Sequence, residues 1–249
     1  KIAVYSPKSK LPWDDAVTLV LSFAEIPYDV IYDKEIIEGD LSKYDWLHLH
    51  HEDFTGQYGK FYGNYGNTVW YQNAQKELED LAAELGFKKV SDLKRSIVKS
   101  IRDYVFSGGF LFAMCSATDT YDIVLSIGQT DICAPMFDGD AAETNINSKL
   151  DYSPTFAFKD FTLSQNPFEY KFSDIDVTTY RKISQVNDFF YLFDFSAKWD
   201  QVPTMLCQNH EKIIKGFMRQ TTAFNKDLIK SNVLILGENK AAKEARYIH

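Results

Sequence analysis

The chain has 249 residues, of which 45% are hydrophobic and 25% are charged, a composition ordinary for a globular protein. This length suffices for one large α/β domain or for a domain with an added elaboration. The formal net charge of −8 disfavours nonspecific binding to nucleic acid or to anionic membranes, since both carry negative charge. No run of residues is long and apolar enough to predict a membrane span.

The cysteines Cys115, Cys133 and Cys207 are too few, and odd in number, for a disulfide framework. One bridge is compatible with this set, so an oxidising and a reducing compartment both stay open. Because the chain begins at Lys1, loss of an upstream signal peptide would make it an exported or periplasmic protein. Otherwise we expect it in the cytoplasm.

The first half of the chain alternates short apolar runs with helical patterns, which is typical of a doubly wound parallel sheet. The predicted strands cover residues 1–6, 28–32, 46–51 and 110–114. The predicted helices cover residues 12–26, 70–85, 91–106 and 118–127. Ser91 is the predicted cap of the third helix, and Gly108 and Gly109 are its predicted stop. The run 110–114 is apolar throughout, which predicts a central strand covered on both faces.

After residue 128 the pattern changes to an acidic stretch and then to short β-like runs. These runs cover residues 156–158, 170–172, 174–177, 189–195, 203–207 and 213–217. We interpret residues 129–230 as a β-rich elaboration of one domain that spans residues 1–249. Its α/β core would be formed by residues 1–128 and 231–249, with the apolar run 233–237 as a further core strand.

Cys115 is the sharpest candidate for chemistry, because it follows a predicted strand and precedes a predicted helix. Open α/β sheets bind ligands at the carboxyl ends of their strands, and the dipole at a helix N-terminus favours the thiolate. This is the arrangement of a nucleophile elbow, although Ala113 and Ala117 stand where such an elbow usually has glycine. A buried core cysteine is the alternative interpretation.

Four polar residues, His50, His51, Glu52 and Asp53, lie at the end of the third predicted strand, at the same edge as Cys115. They are candidates for binding a ligand or for orienting a base. Strand alternation would point His50 and His51 to opposite faces, which disfavours one shared metal ion. We therefore predict no metal site and no cofactor.

The Gly- and Tyr-rich residues 52–68 have the length and aromatic content of a ligand-binding loop, with Tyr58 as a candidate contact. They equally fit an Ω-loop packed by its own tyrosines. Asp119, in the first turn of the fourth predicted helix, is a further candidate ligand contact. Asp138 and Asp140 lack the full spacing of a calcium loop, so we predict a solvated acidic loop there.

Taken together, these elements resemble the class I glutamine amidotransferase-like superfamily and, within it, the ThuA-like proteins. The resemblance rests on residues 1–5, 26–30 and 43–49, and above all on the helix–Gly-Gly–strand–cysteine run that ends at Cys115. It implies a flavodoxin-like three-layer sandwich with Cys115 at the position of the catalytic cysteine. The backbone N–H of Ser116 would then be an oxyanion donor.

The sequence departs from active members of that superfamily, whose elbow reads Gly-x-Cys-x-Gly. Their catalytic histidine follows a late strand, so we expect a missing segment after His249. The chain also resembles bacterial proteins, mainly from Bacteroidetes, that are often labelled asparagine synthetase B. That activity would need an N-terminal cysteine and a Ser-Gly-Gly-x-Asp-Ser loop, where this chain has Lys1 and a Ser-Gly-Gly-Phe run at residues 107–110.

Two functions therefore follow from the sequence. The first is a noncatalytic or degenerate binding domain for a small polar or sugar ligand, which the missing glycines and histidine favour. The second is a cysteine-dependent hydrolase or amidotransferase with Cys115 as nucleophile. A small molecule is the expected partner in both, nucleic acid is not expected, and the sequence does not fix the oligomeric state.

Overall fold

A computed structural model describes residues 1–7, 16–178, 183–192, 213–216 and 222–249. Contacts divide the chain into two compact units. The first unit comprises Lys1–Pro154 and Ser164–Phe172, and the second comprises Thr155–Leu163 and Ser173–His249. Cys207 and the predicted run 203–207 lie outside the described residues, as do residues 12–15 of the first predicted helix.

The first unit contains a parallel sheet with helices, which confirms the predicted α/β class. Its strands are β1 (Ile2–Tyr5), β2 (Tyr28–Ile31), β3 (Trp46–Leu49) and β4 (Phe110–Ala113), in the order β2-β1-β3-β4. All neighbouring strands are parallel, and Ala3 of β1 lies opposite Asp29 of β2 and Leu47 of β3. The carboxyl ends of the strands therefore meet at one edge of the sheet.

The helices of the first unit are α1 (Ala16–Phe23), α2 (Asp33–Ile37), α3 (Tyr62–Tyr65), α4 (Val69–Glu84), α5 (Val90–Phe106), α6 (Ser116–Ile127) and α7 (Pro135–Asp138). Short 3₁₀ turns cover Asp40–Lys43, Tyr58–Lys60 and Ile146–Ser148. Of the helices in the described ranges, none combines the length and the apolar character needed to cross a membrane.

Two glycines after α5 determine where this helix ends and the chain continues into β4. Gly108 has a φ of 99°, and a Cβ on Gly109 would lie 2.2 Å from the ring of Tyr104. Both positions therefore require glycine, as the predicted helix stop implied. The N-cap residue of α5 is Lys89, so the prediction of a cap at Ser91 was wrong.

Strand β4 differs from the predicted central strand covered on both faces. It is the last strand in the order of the described sheet, and Phe110 is 48% exposed. Phe110 and Phe112 instead pack edge-on against Trp46 of β3, with ring centroids 6.0 and 6.4 Å apart. The uniformly apolar run thus reflects cross-strand aromatic packing and not burial on both sides.

The second unit contains a sheet whose pairs are antiparallel, in the order β6-β5-β8-β9-β7. Its strands are β5 (Phe189–Leu192), β6 (Ile213–Lys215), β7 (Phe224–Asn225), β8 (Ile235–Asn239) and β9 (Glu244–Ile248). The predicted core strand at residues 233–237 corresponds to β8, but it pairs with β5 and β9 in this sheet and not with the parallel strands. The short turn after β8 explains this, because it returns the chain directly as the antiparallel partner β9.

A buried ion pair joins α5 to the ends of β1 and β2. The Nζ atom of Lys94 lies 2.7 and 2.9 Å from the carboxylate oxygens of Asp33 and 2.9 Å from the hydroxyl of Tyr5, which itself contacts Asp33. The two charged side chains are 4% and 0% exposed. Burial lowers the pKa of Lys94, but the Asp33 charge outweighs it, and the pKa lies above the ordinary value.

We expect Lys94→Met to lower the free energy of unfolding by about 3–5 kcal/mol, because it leaves the buried Asp33 carboxylate without its cation. Urea denaturation measures the loss. Lys34→Met is the matched control, since Lys34 forms an exposed ion pair with Glu84 at 3.0 Å and should change stability little. Equal, small losses in both variants would contradict a structural role for the buried pair.

Candidate functional site

A cavity of about 200 Å³ lies at the carboxyl edge of the parallel sheet, beside the ends of β1 and β3. Aromatic side chains line one part of it: Tyr58, Phe61, Trp70 and Tyr71. Polar side chains line another part: His50, His51, Glu52, Asp53 and Lys94. Flat apolar faces next to hydrogen-bonding groups are the usual composition of a small-molecule site.

The structure brings five of the predicted site residues together, since these line the cavity: His50, His51, Glu52, Asp53 and Tyr58. The other three, Cys115, Ser116 and Asp119, lie at the start of α6 and are not among the described residues that line it. Asp119 is fully buried. The predicted site residues therefore form two groups, one that lines the cavity and one at the start of α6.

The two histidines adopt a different arrangement from the predicted one. Strand β3 ends at Leu49, so the alternation of side chains stops before His50. The two imidazole rings meet with their centroids 4.3 Å apart and their Nδ1 atoms 2.7 Å apart. One of these nitrogens must donate and the other accept. Because the two rings contact each other, the prediction that they point to opposite faces was wrong.

Asp53 organises the loop that forms the aromatic wall. Its carboxylate accepts hydrogen bonds from the N–H and hydroxyl of Thr55, at 2.7 and 2.6 Å, and from the N–H of Gly59, at 2.8 Å. Burial raises the pKa of Asp53, although these hydrogen bonds oppose the rise. The carboxylate thus fixes the turn that carries Tyr58 to the cavity.

The loop at residues 52–68 has features of both predicted roles. Phe61 packs on Tyr65 with ring centroids 6.1 Å apart, as in an Ω-loop packed by its own rings, and it also stacks on Tyr170 outside the loop. The buried Lys60 donates to the backbone carbonyls of Ser164, Asn166 and Lys171, at 2.8, 3.2 and 2.7 Å. The same loop contributes Tyr58 and Phe61 to the cavity. Rigid packing therefore holds the aromatic wall in position.

Sequence reasoning missed three further residues of the cavity lining, Tyr5, Tyr32 and Lys94. The Nζ atom of Lys94 lies 4.8 Å from the centre of the Tyr32 ring. Burial raises the pKa of Tyr32 to about 12, so its hydroxyl stays protonated at neutral pH. One signal in the sequence could have identified Lys94. It lies within the apolar stripe of an amphipathic helix, where a charged side chain needs a buried partner.

Cys115 lies in the tight turn between β4 and α6 and has a strained backbone, with φ 52° and ψ −140°. Few residues other than glycine take such angles, and the strain costs about 1–3 kcal/mol. The N–H of Met114 donates to the carbonyl of Leu49 at 3.0 Å, and the hydroxyl of Ser116 donates to the carbonyl of His51 at 2.9 Å. The elbow is therefore formed without flanking glycines and is tied to the loop after β3.

A group of metal-type ligands lies outside the cavity lining. Ligand atoms of Asp131, Cys133 and Asp138 all fall within 4.8 Å of one another. The Nζ atom of Lys89 lies 2.6 Å from Asp131, 3.0 Å from Asp138 and 2.5 Å from Asp140. The predicted acidic loop is solvated in part, since the side chain of Asp140 is 62% exposed and that of Asp138 is 5% exposed, and Lys89 supplies a compensating positive charge.

Comparison of the chain with protein-family models, with curated proteins and with solved structures gave no match in any of the three. The functional interpretation is therefore drawn from the residues and the geometry of this chain.

Proposed function

We propose that the first unit is a class I glutamine amidotransferase-like domain that binds a small polyhydroxylated ligand, such as a sugar, in the cavity at the sheet edge. The observation that carries this proposal is the cavity lining, with aromatic side chains on one part and carboxylate and imidazole groups on another. Sugars present apolar C–H faces and hydroxyl edges, so this combination suits them.

The strand order supports the fold proposed here. A flavodoxin-like sheet has the order 2-1-3-4-5, and the described order β2-β1-β3-β4 agrees with its first four strands. The cavity also lies where such sheets bind ligands, beyond the carboxyl ends of β1 and β3, the neighbouring strands at which the strand order reverses, since β2 lies on the other side of β1.

The charges around the cavity favour a neutral ligand over an anionic one. The positive charge of Lys94 is neutralised by Asp33 at 2.7 Å. Glu52 contributes a carboxylate that repels anions, and with the imidazoles of His50 and His51 it offers acceptors for hydroxyl donors. A ligand that brings several hydroxyl groups satisfies these acceptors.

Trp70 offers the sharpest test, because it is 51% exposed and lines the cavity. We expect Trp70→Ala to weaken sugar binding at least tenfold, which corresponds to about 1.4 kcal/mol, because the ligand loses an aromatic face. Isothermal titration with glucose, galactose, mannose, xylose and N-acetylglucosamine measures the dissociation constants.

Phe106→Ala is the matched control, since Phe106 is 69% exposed at the end of α5 and does not line the cavity. It should leave binding unchanged. If no sugar of this panel or its oligomers binds the unaltered chain, or if both variants bind equally well, the proposed function is wrong.

The elbow favours a second candidate function, a cysteine-dependent hydrolase or amidotransferase with Cys115 as nucleophile. Its specific support is the strained backbone of Cys115 at the start of α6. Ser116 opens this helix, where the N–H groups of Ala117 and Thr118 already donate to the carbonyls of Met114 and Cys115. The N–H of Ser116 is therefore the candidate donor to an oxyanion while the thiolate attacks a carbonyl.

Alkylation by iodoacetamide tests this alternative. An activated Cys115 should react with a midpoint well below pH ~8.5, the value for a free thiol, and Cys115→Ser should abolish that reaction. Cys133 gives no interfering signal at low pH, because it is buried and burial raises the pKa of its thiol. A midpoint at or above that of a free thiol would eliminate Cys115 as a nucleophile.

A further inference from the structure

A larger depression on the surface of the first unit, here called the outer groove, adjoins the cavity. Its volume is about 470 Å³. Four residues line both spaces: Pro7, Tyr32, Ala74 and Leu78. These shared residues show that the two spaces lie side by side.

Helices α2 and α4 supply most of the outer groove. Leu78 and Leu81 give it an apolar floor, while Glu77, Asp80 and Glu84 provide carboxylates along α4. Lys34 of α2 faces them and lies 3.0 Å from Glu84. The outer groove thus repeats the chemistry of the cavity, with apolar surface beside hydrogen-bond acceptors.

The volumes of the cavity and of the outer groove limit the size of the ligand that each can hold. The cavity, at about 200 Å³, is smaller than the ~300–1,000 Å³ typical of sites for drug-sized molecules, whereas the outer groove falls within that range. The inner end of the cavity is closed by Lys94 and Tyr5, which are 3% and 1% exposed. A chain-like ligand can therefore enter with one end only.

We propose that the ligand is an oligosaccharide, with its terminal sugar in the cavity and the following sugars in the outer groove. This inference rests on the proposed function of the cavity and adds the length and orientation of the ligand. The buried Lys94–Asp33 pair stops the terminal sugar, and the exposed carboxylates of α4 accept hydroxyl hydrogen bonds from the sugars that follow.

Isothermal titration with sugars of increasing length tests the inference. The probes are the monosaccharides named above and their di- and trisaccharides: maltose, maltotriose, cellobiose, cellotriose, galactobiose, mannobiose, xylobiose and chitobiose. At least one oligosaccharide should bind tenfold or more tightly than its own monosaccharide. The gain comes from contacts in the outer groove.

Glu77→Trp should remove that gain while leaving the affinity for the monosaccharide within twofold. Glu77 is exposed on α4 and lines only the outer groove, so a bulky side chain there obstructs the groove and not the cavity. Lys76→Trp, at an exposed neighbouring position outside both linings, is the control and should keep the gain. Thermal unfolding of both variants verifies that they are folded.

The outcomes separate the two proposals. Equal affinity for a monosaccharide and its oligomers, or a gain that survives in Glu77→Trp, overturns the inference and leaves the proposed function intact. Absence of binding by every probe overturns both, because the inference depends on the cavity.

Discussion

The buried ion pair between Lys94 and Asp33 is the constraint on which the first unit depends. It connects α5 to the start of α2, and through the hydroxyl of Tyr5 it also reaches the last residue of β1. Because a buried charge without its partner is strongly destabilising, the ion pair holds α5, α2 and β1 in one arrangement. Lys94 of this pair also lines the cavity, so its fixed position limits how deep a ligand can enter.

A second set of buried polar contacts gives the cavity its aromatic wall. Asp53 holds the turn that leads to Tyr58, and Lys60 fastens the same loop to three backbone carbonyls of residues 164–171. Both side chains act on the backbone and not on a ligand. The aromatic rings are therefore presented by a rigid loop, which lowers the entropic cost of binding.

Much of the first unit could be predicted from local patterns. Apolar runs located β1 and β2, helical spacing located α4, and Gly108 with Gly109 marked the end of α5. Features that depend on distant residues were not predictable in this way. Lys94 pairs with Asp33, which is 61 residues away in the chain. Helix α2 is too short to give a periodic hydrophobic pattern. The partners of β8 depend on the turn that follows it, and the hydrophobic pattern of the strand does not predict that turn. The candidate residues His50 to Asp53 were visible because they follow a strand, but the contact between the two imidazole rings required the observed end of β3.

A crystal structure of the chain soaked with a mixture of monosaccharides and trisaccharides at saturating concentration would test the central claim most directly. The account predicts a sugar ring in the cavity, with one face against Trp70 and hydroxyl groups bonded to Glu52 or to the imidazoles of His50 and His51. Sugar density only elsewhere on the protein, or a cavity that stays empty at saturating sugar, would contradict it.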